Sequence, residues 1–108
     1  MEINGGEATV IRQSAEELQR LRNIAARQTL VLIATHAKRD VTFQPMKLPD
    51  TERWHVNANG REFELLINGA KFYDTRAKVG GGGAIDLAMH LFQLRFIEAM
   101  SFLKHRNI

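Results

Sequence analysis

Trp54-His55-Val56-Asn57-Ala58-Asn59-Gly60-Arg61-Glu62-Phe63-Glu64-Leu65-Leu66-Ile67-Asn68-Gly69-Ala70-Lys71-Phe72-Tyr73 is the stretch on which the fold turns. Trp54–Val56 and Phe63–Ile67 flank Asn57-Ala58-Asn59-Gly60, whose Asn and Gly tolerate positive φ. Asn68-Gly69 then separates Phe63–Ile67 from Ala70–Tyr73 and is the strongest two-residue hairpin signal in the chain. Phe63, Leu65 and Ile67 alternate onto one face, and Glu62 and Glu64 fall on the other. The spacing predicts a three-stranded antiparallel meander.

Upstream, residues 41–53 hold both prolines, Pro45 and Pro49, and read as a linker loop with room for a short edge strand at 41–44. Before it, residues 14–40 form a helical segment. Ser14-Ala15-Glu16-Glu17 fits a capping box, and Leu18, Leu21, Ala25 and Leu32 recur at near-helical spacing, which predicts a helix from about 15 to 37. The run Leu30-Val31-Leu32-Ile33 also suits a buried strand. Residues 1–13, with Gly5-Gly6, read as a loose tail.

Downstream, a loop from Thr75 to Val79 leads into Gly80-Gly81-Gly82-Gly83. Ala84–Phe92 and Phe96–Leu103 then read as two helices, the second with Phe96, Ala99, Met100 and Leu103 on one stripe, and Lys104–Ile108 as a frayed end. The expected architecture is α+β: one domain over residues 1–108, with an N-terminal helix, a three-stranded antiparallel meander and two C-terminal helices.

The 108 residues suffice for one core. Apolar residues at 44% and charged ones at 25% are ordinary for a globular chain, which excludes a fibrous repeat. With no cysteine, disulfides, thiolate zinc sites, iron–sulfur clusters and cysteine nucleophiles are excluded. No apolar run approaches the roughly 20 residues of a membrane span and no signal-peptide pattern opens the chain, so a cytoplasmic protein without membrane attachment is expected. The net charge of +3 comes entirely from the last third, where Arg76, Lys78, Arg95, Lys104 and Arg106 stand against Asp86 and Glu98. Such a surface attracts polyanions without choosing among them, and it also serves solubility.

Four glycines before a helix suit an anion, yet no Gly-Lys-Ser/Thr follows and no βαβ unit surrounds them. They read either as a flexible lead into the helix or as backbone contact with a nucleic-acid phosphate. His36, His55, His90 and His105 are scattered. His90 lies four residues after Asp86, a spacing that suits a structural hydrogen bond or surface pair, and Asp86 suits the first turn of a helix. No catalytic set converges, so no enzyme, metal or cofactor is expected. Trp54, Phe72 and Tyr73 sit among Arg53, Arg61, Lys71, Arg76 and Lys78, the mixture of rings and cations that holds single-stranded nucleic acid. Strand alternation sends Phe72 and Tyr73 to opposite faces, with Trp54 and Phe72 expected in the core and Tyr73 either buried or an exposed platform.

Three segments in order carry a family resemblance: Phe72-Tyr73-Asp74-Thr75-Arg76-Ala77-Lys78, Gly82-Gly83-Ala84-Ile85-Asp86-Leu87, and Phe96-Ile97-Glu98-Ala99-Met100-Ser101-Phe102-Leu103. With Phe63-Glu64-Leu65 before them, the stretch from Glu62 to Leu103 resembles the zinc-ribbon domain at the N-terminus of bacterial and phage replicative primases. Thr75 and Lys78 stand where that family has its second cysteine pair, and near Arg53–Val56 only His55 remains of a ligand set. The resemblance thus implies a ribbon-and-helix scaffold over 54–104 without zinc, as in primase-like proteins of mobile elements, with the N-terminal helix supplying apolar surface in place of the metal. In the family the ribbon engages single-stranded template and assists primer initiation, and polymerisation belongs to a separate domain that nothing here resembles.

The expected function is non-catalytic DNA binding, to a single strand, in replication or transfer of a mobile element. Arg61, Lys71, Arg76 and Lys78 are the expected phosphate ligands, Tyr73 the stacking ring, and the amides of Gly81, Gly82 and Gly83 a backbone-phosphate contact. The rival is an adaptor docking on a primase, helicase or relaxase, marked by an exposed apolar patch from Leu66, Phe92 or Phe102 and a buried Tyr73.

Overall fold

A computed structural model describes residues 15–108. The predicted loose tail at 1–13 and the Ser14 cap lie outside the described residues. Among the described residues there are four helices and one five-stranded sheet. Helix α1 covers 15–22 and α2 Ala26–Ile33, followed by β1 (His36–Arg39), β2 (Glu52–Ala58), β3 (Arg61–Asn68), β4 (Lys71–Asp74) and β5 (Val79–Gly82), then α3 (Gly83–Phe92) and α4 (Phe96–His105). The strands are antiparallel and lie in chain order, β1-β2-β3-β4-β5. None of these helices is long and apolar enough to cross a membrane.

The expected fold class is corrected in three places. The helical segment 14–40 is not one helix: the chain turns at Asn23–Ala25, where Ala25 takes φ −58° and ψ 137° and the amide of Ala26 donates to the carbonyl of Gly69 at 2.8 Å. A contact with the β3–β4 turn, distant in sequence, thus interrupts the helix, and Leu30–Ile33 belongs to α2. The N-terminal edge strand is β1, at His36–Arg39 rather than at 41–44, fixed by pairing of Ala37 with Val56 and Lys38 with His55. The meander has five strands, because the glycine run pairs with β4 as β5 instead of forming a loop.

The hairpins follow from turn chemistry. Asn59 and Gly60 take φ of 54° and 72° between β2 and β3, the positive values that a two-residue turn of this hand needs. The β3–β4 turn is Gly69-Ala70, one residue later than the expected Asn68-Gly69, since Asn68 pairs with Lys71. Helix α4 extends to His105, past the expected end at Leu103.

Register places Val56, Phe63, Leu65, Ile67 and Phe72 on one face of the sheet, where they join Leu21, Leu30, Leu87, Leu91 and Leu103 in the core. Phe72 is buried as expected, while Trp54 is half-buried and its indole N–H donates to Glu52 Oε1 at 3.0 Å. Gly83 (φ +88°) seats α3 beneath α1: a Cβ there would lie 2.6 Å from Cα of Arg22. Only glycine permits that approach.

Candidate nucleic-acid interface

The other face of the sheet carries Lys38, Arg53, His55, Glu62, Glu64, Leu66, Lys71 and Tyr73, every one exposed or half-buried. Across it runs one row of directly opposed residues, Arg53, Leu66, Tyr73 and Gly80, from β2 to β5. Tyr73 is 42% exposed on this row.

The glycines of β5 explain how Tyr73 and Lys71 sit. A Cβ on Gly80 would meet Cδ1 of Tyr73 at 3.3 Å, and one on Gly82 would meet Cγ of Lys71 at 3.9 Å. On the core face, a Cβ on Gly81 would meet Phe72 Cε1 and Cζ at 3.0 Å. On the core face the Phe72 ring therefore takes the volume that a side chain on Gly81 would fill, whereas Gly82 leaves room for one. Glycine is disfavoured in strands for want of a side chain to pack, and here the neighbouring strand supplies the packing.

The amides expected to receive a phosphate have protein partners. Gly82 N–H donates to Asp86 Oδ2 at 3.0 Å, Gly83 N–H donates to the carbonyl of Ala70 at 2.9 Å, and Gly81 is opposite Phe72 in the ladder. Asp86 does stand in the first turn of α3, but it caps Gly82 and does not pair with His90.

His90 pairs instead with Asp74, Nε2 to Oδ2 at 2.7 Å, its ring between Phe63 and Phe72 at centroid distances of 5.8 and 5.7 Å. Asp74 Oδ1 accepts from the amides of Arg76 at 2.9 Å and Ala77 at 3.0 Å. Burial pushes this carboxyl up, but the Ala77 amide, the His90 ring and the Arg76 amide together hold it below the ordinary aspartate range. As a carboxylate it can only accept, so Nε2 carries the proton. This buried carboxylate shapes the β4–β5 turn, in which Lys78 takes φ 59° and its amide donates to the Asp74 carbonyl at 2.8 Å. The turn holds Arg76 and Lys78 exposed.

Sequence reasoning missed Asp74, whose partner is sixteen positions away with no intervening periodicity. It also missed the cluster beside Arg53. Arg53 donates to Asp40 Oδ2 from Nε at 3.0 Å and from a terminal nitrogen at 2.7 Å, faces Glu64 at 3.7 Å, and lies 5.1 Å from the Phe43 ring. The Thr42 hydroxyl, the Arg53 guanidinium and the Thr42 amide hold the Asp40 carboxyl well below its usual range.

Of the expected ligands, Lys71 and Tyr73 share the open face and Arg76 and Lys78 share the adjacent turn. Arg61 is separated from them. It lies two residues before Phe63, on the same side of β3, and its guanidinium lies 5.4 Å from the Phe63 ring.

No family model matches the chain, and no solved structure matches it. A "65 kDa protein" of Zymomonas mobilis subsp. mobilis is 48% identical over 57 residues. The match takes in 53% of this chain and spans 9% of that relative's length.

Proposed function

We propose that this chain is a non-catalytic module that binds single-stranded nucleic acid, DNA in the first instance, on the open face of its sheet. The observation that carries the reading is Tyr73, the single tyrosine of the sequence, exposed on that face between half-buried Leu66 and a glycine. A ring in that position stacks on an unpaired base, and Lys71, Arg76 and Lys78 beside it attract the phosphates. The excess positive charge of residues 75–108 supports the same reading. Association with primase-type replication or transfer of a mobile element rests on the sequence resemblance alone. The adaptor reading called for a buried Tyr73 and a free patch at Leu66, Phe92 or Phe102. Tyr73 is exposed, and Phe92 and Phe102 stack on each other at 4.6 Å, half-buried, which favours the nucleic-acid reading.

The test is fluorescence anisotropy of a labelled oligothymidylate titrated with protein over a range of salt. Affinity is expected to fall as salt rises, a duplex of equal length to bind more weakly, and Tyr73→Ala to lose roughly fivefold or more. Absence of binding at low salt overturns the proposal.

A further inference from the structure

The structure assigns Asn59 as a self-modification site, where the folded chain loses a side-chain amide and leaves aspartate or isoaspartate at the tip of the β2–β3 hairpin. The inference stands apart from nucleic-acid binding and needs no partner but water.

An asparagine followed by glycine reacts with its own backbone. The amide nitrogen of the glycine attacks the side-chain carbon Cγ, forming a new N–C bond. The bond from Cγ to the side-chain nitrogen breaks, and ammonia leaves with the proton of the attacking amide. Water then opens the cyclic imide at one carbonyl or the other, giving aspartate or isoaspartate, with no oxidation or reduction. Glycine in second place favours the attack, because without a Cβ its nitrogen is unhindered and its backbone turns freely. The sequence contains the pair three times, at Asn4-Gly5, Asn59-Gly60 and Asn68-Gly69. Asn4-Gly5 lies outside the described residues. Asn23, Asn57 and Asn107 precede Ile24, Ala58 and Ile108, whose side chains shield the nitrogen.

Ring closure requires rotation about the backbone and the side chain of the asparagine, so it runs where the chain lets the pair move. The two hairpin turns differ in that respect. Asn59 and Gly60 are both exposed and lie beyond Ala58 and Arg61, the last pair of the β2–β3 ladder. An exposed turn tip of this kind opens locally at little cost in free energy.

Asn68-Gly69 is held from several sides. Asn68 is half-buried, still pairs with Lys71 in the ladder, and donates its side-chain amide to Thr51 Oγ1 at 3.3 Å. The Gly69 carbonyl accepts from the Ala26 amide at 2.8 Å, which ties the turn to the start of α2. The next carbonyl, that of Ala70, accepts from the Gly83 amide at 2.9 Å and ties it to the start of α3. To close the ring at Asn68 the side chain must leave Thr51, and moving its peptide strains the bond to Ala26. Such an opening disturbs the contacts that join two helices to the sheet, and its cost approaches that of wider unfolding. Of these two turns, the one with the stronger local sequence signal is the protected one.

Conversion at Asn59 places a carboxyl two residues from Arg61. Aspartate tolerates the φ of 54° found there nearly as well as asparagine, so that product keeps the turn. Isoaspartate lengthens the main chain by one carbon and does not fit a two-residue turn.

The test incubates the folded protein at mildly alkaline pH and physiological temperature, alongside a sample in denaturant. Peptide mapping by mass spectrometry follows each Asn-Gly pair on its own peptide, and electron-transfer fragmentation separates isoaspartate from aspartate. In the folded protein Asn59 is expected to convert at least roughly tenfold faster than Asn68, because only the first turn opens locally. In denaturant, where neither turn is held, the two are expected to convert at similar rates. Thr51→Ala, which removes the partner of the Asn68 amide, is expected to narrow the difference in the folded protein. Equal conversion of Asn59 and Asn68 in the folded protein overturns the assignment. So does an Asn59 that stays intact in the folded protein while it converts in denaturant.

Discussion

Nε2 of His90 lies 2.7 Å from Oδ2 of Asp74, tying the third helix to the end of β4, and the other carboxylate oxygen gathers the turn that displays Arg76 and Lys78. Asp74 is 3% exposed, and removing it takes the acceptor from two turn amides and from the half-buried His90 ring. Asp74→Ala is expected to cost roughly 2–3 kcal/mol. Thermal unfolding should then begin roughly 10 °C lower or more. An unchanged midpoint would show that the pin contributes nothing.

The same carboxyl sets an acid limit. Its folded value lies below the ordinary 3.8, so the stabilisation is complete above the ordinary range and is lost as pH falls through it. Thermal midpoints of the unaltered protein are expected to drop below about pH 4. Asp74→Asn, which cannot titrate, should start lower and fall less steeply. Parallel profiles for the two would assign acid sensitivity to other groups.

Within the glycine run, adjacent positions should respond oppositely to alanine. At Gly83 a Cβ meets the Arg22 backbone at 2.6 Å, and φ is +88°, so neither partner can yield. Gly83→Ala is expected to cost roughly 3 kcal/mol or more. At Gly82 the nearest atom is the flexible Lys71 stem at 3.9 Å and the backbone is extended, so Gly82→Ala should be neutral or stabilising by up to roughly 1 kcal/mol. Denaturant midpoints of the two variants measure the contrast.

The cations should divide by face. Arg76→Ala combined with Lys78→Ala is expected to weaken oligonucleotide binding several-fold and to flatten its salt dependence by roughly 1.4 in the logarithmic slope, two phosphate contacts on a single strand. Arg61→Ala, on the opposite side of the sheet, should change neither quantity. If the double variant binds like the unaltered protein, the assignment of this turn fails.

Asp40 neutralises Arg53 at the end of the row that holds Tyr73. Asp40→Asn leaves Arg53 facing Glu64 alone and raises the net charge of the chain by one. Oligonucleotide affinity at low salt is expected to rise a few-fold, with a steeper salt slope. A decrease would place the 40–51 loop itself among the contacts.

Local signals made β2, β3 and β4 legible: alternation of Phe63, Leu65 and Ile67, and positive-φ residues at Asn59-Gly60 and Gly69. The same alternation sends Phe72 and Tyr73 to opposite faces. What the sequence hid was non-local. The break before α2 depends on a bond to Gly69, strand β5 on side chains borrowed from β4, and the Asp74–His90 pair on two elements meeting across the core. Propensity alone reads Gly80–Gly83 as a loop, because it weighs each residue without its neighbour across the ladder. The site was legible in composition but not in partition: the ring and four cations were nameable, and it is the extension of β3 back to Arg61 that puts this residue on the far side with Phe63.

Because every strand pairs with the one next to it in the chain, the sheet can close by successive hairpins, each bridging only a short length of polypeptide. A topology this local favours refolding on a millisecond scale. An emerging polypeptide therefore zips up its platform progressively, strand by strand, and the glycine edge is the last to join.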